Sequence, residues 1–235
     1  METETVTATW ADSLAVFDLE TTGIDVETSR IVTAHVGVLD SSGRLVERND
    51  WLLDPGVEIP AAATAVHGVT TERARAEGSP AATGIADIVR AIRGLLDRGI
   101  PLVAYNAPYD LTILNREAVR HGVPPLLSPA PIIDPLVIDK AVDRYRRGKR
   151  TLEVTAAFYG VSLDDAHDAG ADAAAAGRVA QALARVHAVA LDVDAAELHR
   201  RQVDWSREQA ENFQAYMRAN RDPAFTTSGD WPERG

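Results

Sequence analysis

Apolar and polar positions alternate along the first part of the chain in a way that is typical of three consecutive β-strands. Residues 14–17 form a rising apolar run, and residues 31–39 are rich in β-forming side chains. The turn sequence Asp-Ser-Ser-Gly at 40–43 separates this second segment from a loosely alternating third one at 44–53. Strands that follow one another through short turns pair as an antiparallel meander, which we predict for this part of the chain.

After residue 60 the pattern changes to helical spacing, interrupted by short apolar segments. The predicted helices lie at 61–66, 85–96, 108–120, 151–159, 168–190 and 204–220, and a further one begins at Pro135. Short strands are predicted at 100–105 and 132–134. Strands first, followed by alternating helices and strands, predict a three-layer α/β domain around a mixed sheet.

The end of the chain differs in character, so we divide the sequence into a domain at 12–190 and a helical extension with a mobile tail at 191–235. One side of the helix predicted at 204–220 carries a mostly aromatic stripe, namely Trp205, Gln209, Phe213, Tyr216 and Met217. The stripe either packs back on its own domain or docks a protein partner or a second copy of the chain. Residues 222–235 are rich in turn-forming residues, and we expect them to be mobile.

Composition narrows the class of protein. Hydrophobic residues make up 46% of the 235 residues, enough for a sizeable core, and the absence of cysteine excludes a disulfide scaffold and a thiolate zinc site. The N-terminal segment 1–12 is polar and acidic, unlike a secretory signal, and no apolar run reaches the roughly 20 residues that span a bilayer. We therefore expect a cytoplasmic protein without a membrane partner.

Charge sets a condition on any binding of phosphates. The formal net charge of −11 repels them at long range, so such binding needs local positive charge or bound cations. The segment 140–150 contains six basic residues and one acid. It is either a solvated loop or a contact surface for phosphates.

Acidic residues stand where several predicted elements end or begin. Asp18 and Glu20 leave the first strand two positions apart, so their side chains point to the same side. Asp110 lies in the first turn of a helix, just past the fourth strand. Asp172 lies in a helix whose small neighbouring residues allow another backbone to approach closely, and His167 precedes it at the helix start.

Carboxylates that converge on one point raise one another's pKa, and divalent cations relieve this repulsion. Magnesium prefers oxygen ligands, and a pair of such ions can stabilise both the attacking and the leaving oxygen of a phosphodiester hydrolysis. An imidazole nearby can accept the proton of the attacking water. The acids therefore indicate a metal site, with His167 beside it.

Three segments carry a resemblance to a known family. FDLETTG at 17–23, YNAPYDLTIL at 105–114 and HDAGADAAA at 167–175 resemble, in order and spacing, the motifs of the DEDDh 3′–5′ exonucleases. That family includes the proofreading subunit of bacterial replicative DNA polymerase, oligoribonuclease and RNase T. AVHGVT at 65–70 resembles the family's His-Gly segment, and the resemblance covers residues 14–190. The histidine five residues before the last Asp matches the His branch rather than the Tyr branch.

The resemblance implies an RNase H-like fold, a mixed five-stranded sheet flanked by helices, here with an α-helical C-terminal extension. It implies a metal-dependent hydrolysis of single-stranded DNA or RNA 3′ ends, with DNA favoured, that releases nucleoside 5′-monophosphates. The implied cofactors are two ions of Mg²⁺ or Mn²⁺. The alternatives are an exoribonuclease acting on short RNA or RNA 3′ ends, and a nucleic-acid or protein interaction module without turnover.

Roles follow from the resemblance position by position. Asp18, Glu20 and Asp172 would hold the first ion. Asp18 would bridge to a second ion held by Asp110 through water, and His167 would be the general base.

The same resemblance implies the substrate contacts. The backbone near Thr21 and Thr22 would receive the terminal 3′-hydroxyl, and His67 would lie near the terminal nucleotide or its phosphate. Independently of the resemblance, Tyr109 or another aromatic residue could stack a base of a single strand, and Asn106 is a further candidate contact.

Two positions depart from the family pattern. Many members have His where this chain has Tyr105, and some have an acid where it has Ala62. Both differences affect the expected recognition of the strand end, and neither removes a metal ligand. His35 is predicted to be a strand residue without a chemical role.

Overall fold

The structure is a computed structural model that describes residues 9–163 and 167–235. Within these residues, six strands form one mixed sheet in the order β4-β3-β2-β1-β5-β6. The strands are β1 Leu14–Thr21, β2 Ile31–Leu39, β3 Leu45–Asp54, β4 Ser79–Pro80, β5 Leu102–Val103 and β6 Ile132–Ile133. β1, β2 and β3 form the predicted antiparallel meander, whereas β5 and β6 run parallel to β1. The α/β class and the mixed sheet are confirmed.

The expected count of five strands is corrected to six. The additional strand, Ser79–Pro80, pairs in parallel with the end of β3 at the edge of the sheet. A serine and a proline carry no strand signal, and proline is tolerated at a sheet edge because its missing N–H is not needed there. β5 is also shorter than the predicted segment 100–105, because its pairing with β1 runs through Leu102 and Val103.

Helices cover both faces of the sheet. They are α1 Ala61–His67, α2 Thr71–Glu77, α3 Ala81–Asp97, α4 Ala107–Arg120, α5 Pro135–Val142, α6 Leu152–Phe158, α7 Ala169–Val186, α8 Ala188–Leu191 and α9 Ala195–Asn220. α3 and α4 pack on one face, against Ala15 and Phe17 of β1. α7 packs on the other face, together with α5 and α6, against Leu14 and Val16. The predicted three layers are therefore present.

α7 lies close to the sheet because its inner face is made of alanine and glycine. A Cβ atom on Gly177 would lie 2.5 Å from Leu39 Cδ1 and 2.6 Å from Val16 Cγ1, so a larger residue would displace the helix from β1 and β2. The close approach expected from the small residues is thus observed. The predicted helix at 168–190 is interrupted at His187, which separates α7 from α8.

α9 begins earlier than the predicted helix at 204–220. Its N-terminus is capped by Asp194, whose side chain accepts a hydrogen bond from the Glu197 N–H at 2.7 Å. The aromatic stripe is divided between two environments. Trp205 packs on the core, whereas Phe213 and Tyr216 are 50% and 55% exposed. Docking of a partner or a second subunit by the exposed half stays a prediction.

Side chains of α9 cover the outer edge of the sheet. His199 Nδ1 accepts a hydrogen bond from the Ile132 N–H at 3.0 Å, and Gln202 donates to Ile132 O at 3.0 Å. Gln202 Oε1 accepts from the Asp134 N–H at 2.6 Å. α9 therefore satisfies the backbone groups of edge strand β6 that a further strand would otherwise bind.

The end of the chain is also attached to this edge, which corrects the expectation of a mobile tail for its last residues. Trp231 is 7% exposed and belongs to the core beside α4. The Arg234 N–H donates to Thr112 Oγ1 at 2.9 Å. The domain boundary placed near residue 190 stays a prediction.

Residues 1–8, part of the segment interpreted as unlike a secretory signal, lie outside the described residues. Across the described ranges, none of the helices combines the length and the apolar character that crossing a bilayer requires.

Candidate active site

β1 carries Asp18 and Glu20 on the face of the sheet that α7 covers. Side chains two positions apart on a strand point to the same side, so both continue the row begun by Leu14 and Val16. Leu14 and Val16 are fully buried, whereas Asp18 and Glu20 are partly exposed. The row therefore changes from apolar to acidic where the strand leaves the core.

Asp110 reaches the same place from the opposite layer. It lies in the first turn of α4, is 3% exposed, and its Oδ1 accepts a hydrogen bond from the Leu19 N–H at 3.2 Å. β5 pairs with β1 alongside Ala15 and Val16 and ends before Leu19, which leaves the Leu19 amide to Asp110. The early end of β5 thus opens the sheet for a carboxylate from α4.

α7 supplies Asp172 and, just before its first turn, His167. His167 has a φ of 71°, and its backbone N–H donates to Asp172 Oδ2 at 3.2 Å. Asp168 caps the helix by accepting from the Ala171 N–H at 3.0 Å. One possible ligand atom from each of three side chains lies within 4.8 Å of the others, and these side chains are Glu20, His167 and Asp172. The three side chains therefore face a common point.

The carboxylates act on one another electrostatically. Burial raises the pKa of Asp18 well above its usual range, and the negative charges of Asp110 and Asp172 raise it further. Burial and the charge of Asp172 raise the pKa of Glu20 to about 7. Burial also raises the pKa of Asp172, against the hydrogen bond from the His167 backbone. The pKa of Asp110 is raised mainly by burial, although hydrogen bonds from backbone N–H groups, among them that of Leu19, oppose the rise. The predicted acids thus share one region of negative potential.

This donor set fits a divalent cation. Asp172 Oδ1 is buried and has no hydrogen-bond partner among the described residues, which is costly for a carboxylate oxygen unless a cation binds it. Mg²⁺ and Mn²⁺ prefer carboxylate oxygens, and a positive charge relieves the mutual repulsion of acids. Glu20 and Asp172 each offer a carboxylate oxygen within 4.8 Å of the other, and Asp18 and Asp110 lie near enough for Asp110 to raise the pKa of Asp18.

A cavity of about 390 Å³ opens beside Glu20. The predicted substrate contacts that line it are Thr21, Thr22, His67 and Tyr109. Ala62 and Ile24 belong to its mostly apolar wall, and Ile24 is 90% exposed. A concave apolar surface therefore adjoins the acidic cluster.

Hydrogen bonds fix the turn that leads from β1 into this cavity. The Tyr109 hydroxyl donates to Gly23 O at 2.7 Å and lies 2.8 Å from Thr21 Oγ1. Thr22 closes the turn from the other side, because its Oγ1 accepts from the Arg30 N–H at 2.9 Å. Burial raises the pKa of Tyr109, so its hydroxyl keeps its proton at neutral pH. Tyr109 thus holds the turn as well as lining the cavity.

His67 and Asn106 lie in different surroundings. His67 Nδ1 accepts a hydrogen bond from the Val69 N–H at 3.2 Å, and burial lowers the His67 pKa, which favours the neutral ring. Asn106 adopts a left-handed backbone conformation with φ 63° and lines another cavity, with Lys140 and Phe213. The structure does not bring Asn106 into the cavity beside Glu20, and its role as a substrate contact stays a prediction.

Comparison with known proteins shows the family to which the chain belongs. The sequence model of the family RNase_T, described as exonuclease, matches residues 15–180. This chain belongs to the DEDDh 3′–5′ exonuclease family. The resemblance noted in its three motifs is thereby confirmed.

The proteins similar to this exonuclease include a DNA polymerase and, among solved structures, E. coli exonuclease I. A DNA polymerase III PolC-type of Streptococcus thermophilus is 30% identical over 167 residues, which make up 70% of this chain and 10% of that protein. E. coli exonuclease I in complex with a dA16 oligonucleotide has a TM-score of 0.64 and 20% identity, over 77% of this chain and 42% of that one. A zinc-bound E. coli exonuclease I complex with single-stranded DNA has a TM-score of 0.63 and 21% identity, over 77% and 42%. The exonuclease thus spans a tenth of its polymerase relative and less than half of these nucleases, and the structural likeness shows the fold.

The basic segment 140–150 of the exonuclease contains both buried cations that stabilise the fold and exposed cations. Arg146 and Arg150 are 7% and 11% exposed and bind the fully buried Asp139, the second through Nη1 to Oδ2 at 2.5 Å. Arg150 also donates to Asp143 O at 2.5 Å. The expectation that the whole segment faces solvent or phosphates is corrected for these two arginines. Within residues 144–150, the exposed cations that make no ion pair with the described part of the chain are Arg144, Arg147 and Lys149.

Tyr105, which departs from the family pattern, anchors this segment beside the site. Its hydroxyl donates to Arg150 O at 2.7 Å and lies 2.9 Å from Thr155 Oγ1. The residue that follows it is Asn106, at the start of α4. The basic segment is therefore fixed next to the helix that carries Asp110.

His35 has a structural role that the sequence did not reveal. It is fully buried opposite Asp18 in the β1–β2 register, and its Nδ1 lies 2.7 Å from Asp50 Oδ1. A Cβ atom on Gly170 would lie 3.1 Å from His35 Nδ1, so the first turn of α7 rests on this ring. The available signal was a polar residue in the middle of an otherwise apolar strand.

Proposed function

We propose that this exonuclease hydrolyses the 3′-terminal phosphodiester bond of single-stranded nucleic acid, with DNA favoured, and releases nucleoside 5′-monophosphates. Catalysis would use two divalent ions, Mg²⁺ or Mn²⁺. The observation that carries the proposal is the cluster of Glu20, His167 and Asp172, with Asp172 Oδ1 buried and unpaired among the described residues. Asp18 and Asp110 complete the acidic region.

Asp18, Glu20 and Asp172 would hold one ion, and Asp18 and Asp110 the other. When bound, such ions activate a water and neutralise the charge that develops on the leaving oxygen. His167 takes the proton of the attacking water, because its exposed position at the start of α7 leaves the ring accessible beside the cluster. The new bond joins the water oxygen to phosphorus, and the bond from phosphorus to the O3′ of the preceding nucleotide breaks. That O3′ takes up a proton from solvent and becomes the 3′-hydroxyl of the shortened strand.

The cavity beside Glu20 is placed to hold the terminal nucleoside. Backbone groups of Thr21 and Thr22 stand at its entrance from β1, where a terminal 3′-hydroxyl can bind them. The apolar wall suits a base of any sequence, since every base has an apolar face. Tyr109, in the first turn of α4, keeps the turn after β1 in place by its hydrogen bond to Gly23 O.

DNA is favoured by what the similar proteins act on or bind. The polymerase relative is named as a DNA polymerase, and two of the similar structures are of E. coli exonuclease I, one in complex with a dA16 oligonucleotide and one with single-stranded DNA. A short-RNA exonuclease is the second candidate, because the 2′-hydroxyl of RNA is sensed by the shape of a pocket, and Ala62 stands in this cavity wall where some family members have an acid. A binding module without turnover is the third.

A labelled-strand assay tests the proposal. The full chain is incubated with single-stranded DNA and RNA oligonucleotides of matched sequence and several lengths, in Mg²⁺ or Mn²⁺, beside the Asp18→Asn variant. We expect stepwise shortening from the 3′ end, faster on DNA, that stops in the variant. If the native chain leaves the strands intact, the function is binding without turnover. Faster degradation of RNA than of DNA would support the exoribonuclease. Equal shortening by the native chain and by the variant would contradict the assigned site.

A further inference from the structure

The carboxylate of Asp134 organises the start of the helix that carries Asp110. Asp134 is fully buried between β6 and α5. It accepts hydrogen bonds from the N–H groups of Asn106 and Ala107 at 3.0 Å each, and from the Leu136 N–H at 3.0 Å. Since Asn106 and Ala107 begin α4, the direction in which α4 leaves the sheet depends on Asp134.

A fourth hydrogen bond to Asp134 comes from the end of the chain. Trp231 Nε1 donates to Asp134 Oδ2 at 3.3 Å, and the indole is 7% exposed. Among the described residues, the Asp134 carboxylate therefore accepts hydrogen bonds from three backbone N–H groups and from one side chain, that of Trp231. When a buried carboxylate loses one hydrogen-bond donor, an acceptor oxygen is left without a partner, and this makes its position less stable.

The same segment is bound along α4 at two more points. We define the C-terminal strap as residues 231–234. The Arg234 N–H donates to Thr112 Oγ1 at 2.9 Å, and Asn115 Nδ2 donates to Glu233 Oε2 at 2.9 Å. The strap therefore contacts α4 on the C-terminal side of Asp110 and, through Asp134, on its N-terminal side.

α9 fixes the other side of this arrangement. The His199 ring lies 4.9 Å from the Trp231 ring between centroids, and His199 holds the Ile132 N–H. Gln202 holds the Asp134 N–H. The family match covers residues 15–180, so α9 and the C-terminal strap lie outside the matched residues.

We propose that the C-terminal strap, acting through Trp231 and Asp134, is a positioning element that holds the first turn of α4 and keeps Asp110 in place for the second divalent ion. The inference rests on the proposed function for the identity of that ion site. Among the described residues, the strap's hydrogen bonds go to Asp134 and to α4, and no strap residue lines the cavity beside Glu20, so its effect passes through α4. Its loss weakens the binding of one ion and leaves the other unchanged.

Calorimetric titration of the full chain with Mn²⁺, without nucleic acid, tests this. Trp231→Phe keeps most of the packing and removes the indole N–H. The matched control is Trp10→Phe, because Trp10 is 4% exposed and its Nε1 donates to Leu191 O at 3.1 Å in the layer that contains α7. We expect Trp231→Phe to weaken the weaker of two Mn²⁺ sites about tenfold, the scale on which residues behind metal ligands act. The control keeps both affinities.

The same variants are compared in activity as a function of Mn²⁺ concentration. Trp231→Phe should need about tenfold more Mn²⁺ for half-maximal rate and reach the native rate at saturation. Glu233→Ala, which removes from the strap the acceptor of the Asn115 Nδ2–H hydrogen bond, provides a second variant if Trp231→Phe does not fold. Unchanged Mn²⁺ isotherms, or the same weakening in Trp10→Phe, would overturn the proposal. A native chain that binds two Mn²⁺ ions, one of them dependent on Trp231, but degrades no strand would overturn the proposed function and support the strap.

Discussion

The backbone N–H of Leu19 donates a hydrogen bond to Asp110 Oδ1 at 3.2 Å. Leu19 lies between the two acids of β1, and its own side chain is buried on the opposite face of the sheet. This one contact therefore joins the carboxylate from the α4 layer to the strand that carries Asp18 and Glu20. The hydrogen bond holds α4 close to β1 at the point where the acids meet.

Asp110→Asn should retain this contact and lose the charge. The amide oxygen can still accept from Leu19, so we expect the metal-free variant to be at least as stable as the native chain, since burial and nearby acids raise the pKa of Asp110. Exonuclease activity should fall at least about a hundredfold, because a bound ion contributes several kcal/mol to the transition state. Thermal unfolding and single-strand degradation measure the two effects.

Asp97→Asn is the matched control for this change. Asp97 is exposed at the end of α3 and makes no ion pair within the described ranges. It should leave activity and melting temperature unchanged. A loss of stability in Asp110→Asn as large as its loss of activity would mean that Asp110 supports the fold rather than an ion.

The acids of the site were accessible to sequence reasoning because each stands at an element boundary that local patterns define. The apolar row of β1 ends at Asp18, and the capped start of α7 precedes Asp172. Their convergence, however, depends on the strand order and on the early end of β5 after Val103. Those are properties of long-range packing, and only the motif resemblance pointed to them.

The roles of other side chains could not be predicted from the sequence because their partners are distant along the chain. The sequence predicts Arg146 and Arg150 to be surface charges, but in the structure both form ion pairs with the buried Asp139. His199 carried no signal, since its role is to bind the edge of β6 from α9. Side chains that satisfy a remote backbone group or charge leave no periodic pattern in their own neighbourhood.

His167→Ala should separate proton transfer from metal binding. We expect a loss of about a hundredfold or more in turnover, the scale of general-base catalysis, while Mn²⁺ still binds to the carboxylates. Calorimetry and turnover on the same preparation measure both quantities. Loss of Mn²⁺ binding equal to that of Asp18→Asn would instead make His167 a ligand, which its ring nitrogen is close enough to be.

The exposed cations of the basic segment should contribute to strand binding. Replacing Arg144, Arg147 and Lys149 by Gln should weaken binding of single-stranded DNA by an inactive Asp18→Asn chain and reduce the slope of log affinity against log salt by about 2, at roughly 0.7 per phosphate contact. The control replaces three exposed arginines elsewhere, namely Arg73, Arg90 and Arg200, each of which pairs with a nearby acid. An equal change of slope in both triple variants would indicate a general charge effect.

Arg150→Met tests the buried half of the same segment. The change leaves Asp139 fully buried with one cation fewer, so we expect the free energy of unfolding to fall by about 3 kcal/mol. The salt slope of strand binding should stay native, because the 11% exposed Arg150 side chain is directed at Asp139 rather than at phosphates. Denaturant unfolding and binding titrations check the two statements, and a native stability with an altered slope would reverse the assignment.

The stability of the metal-free exonuclease should fall as pH rises through the acidic range. The pKa of Glu20 is raised from 4.5 to about 7 in the folded chain, and the pKa of Asp18 is raised as well. Between the unfolded and folded pKa values the folded state binds more protons than the unfolded state, so the free energy of unfolding decreases with pH in this window. Divalent ions replace those protons, so Mg²⁺ should raise the melting temperature more at about pH 8 than at about pH 5. Glu20→Gln, measured beside the native chain without metal, should show a flatter decline between these two pH values, and an identical decline in both would show that Glu20 titrates as an ordinary surface acid.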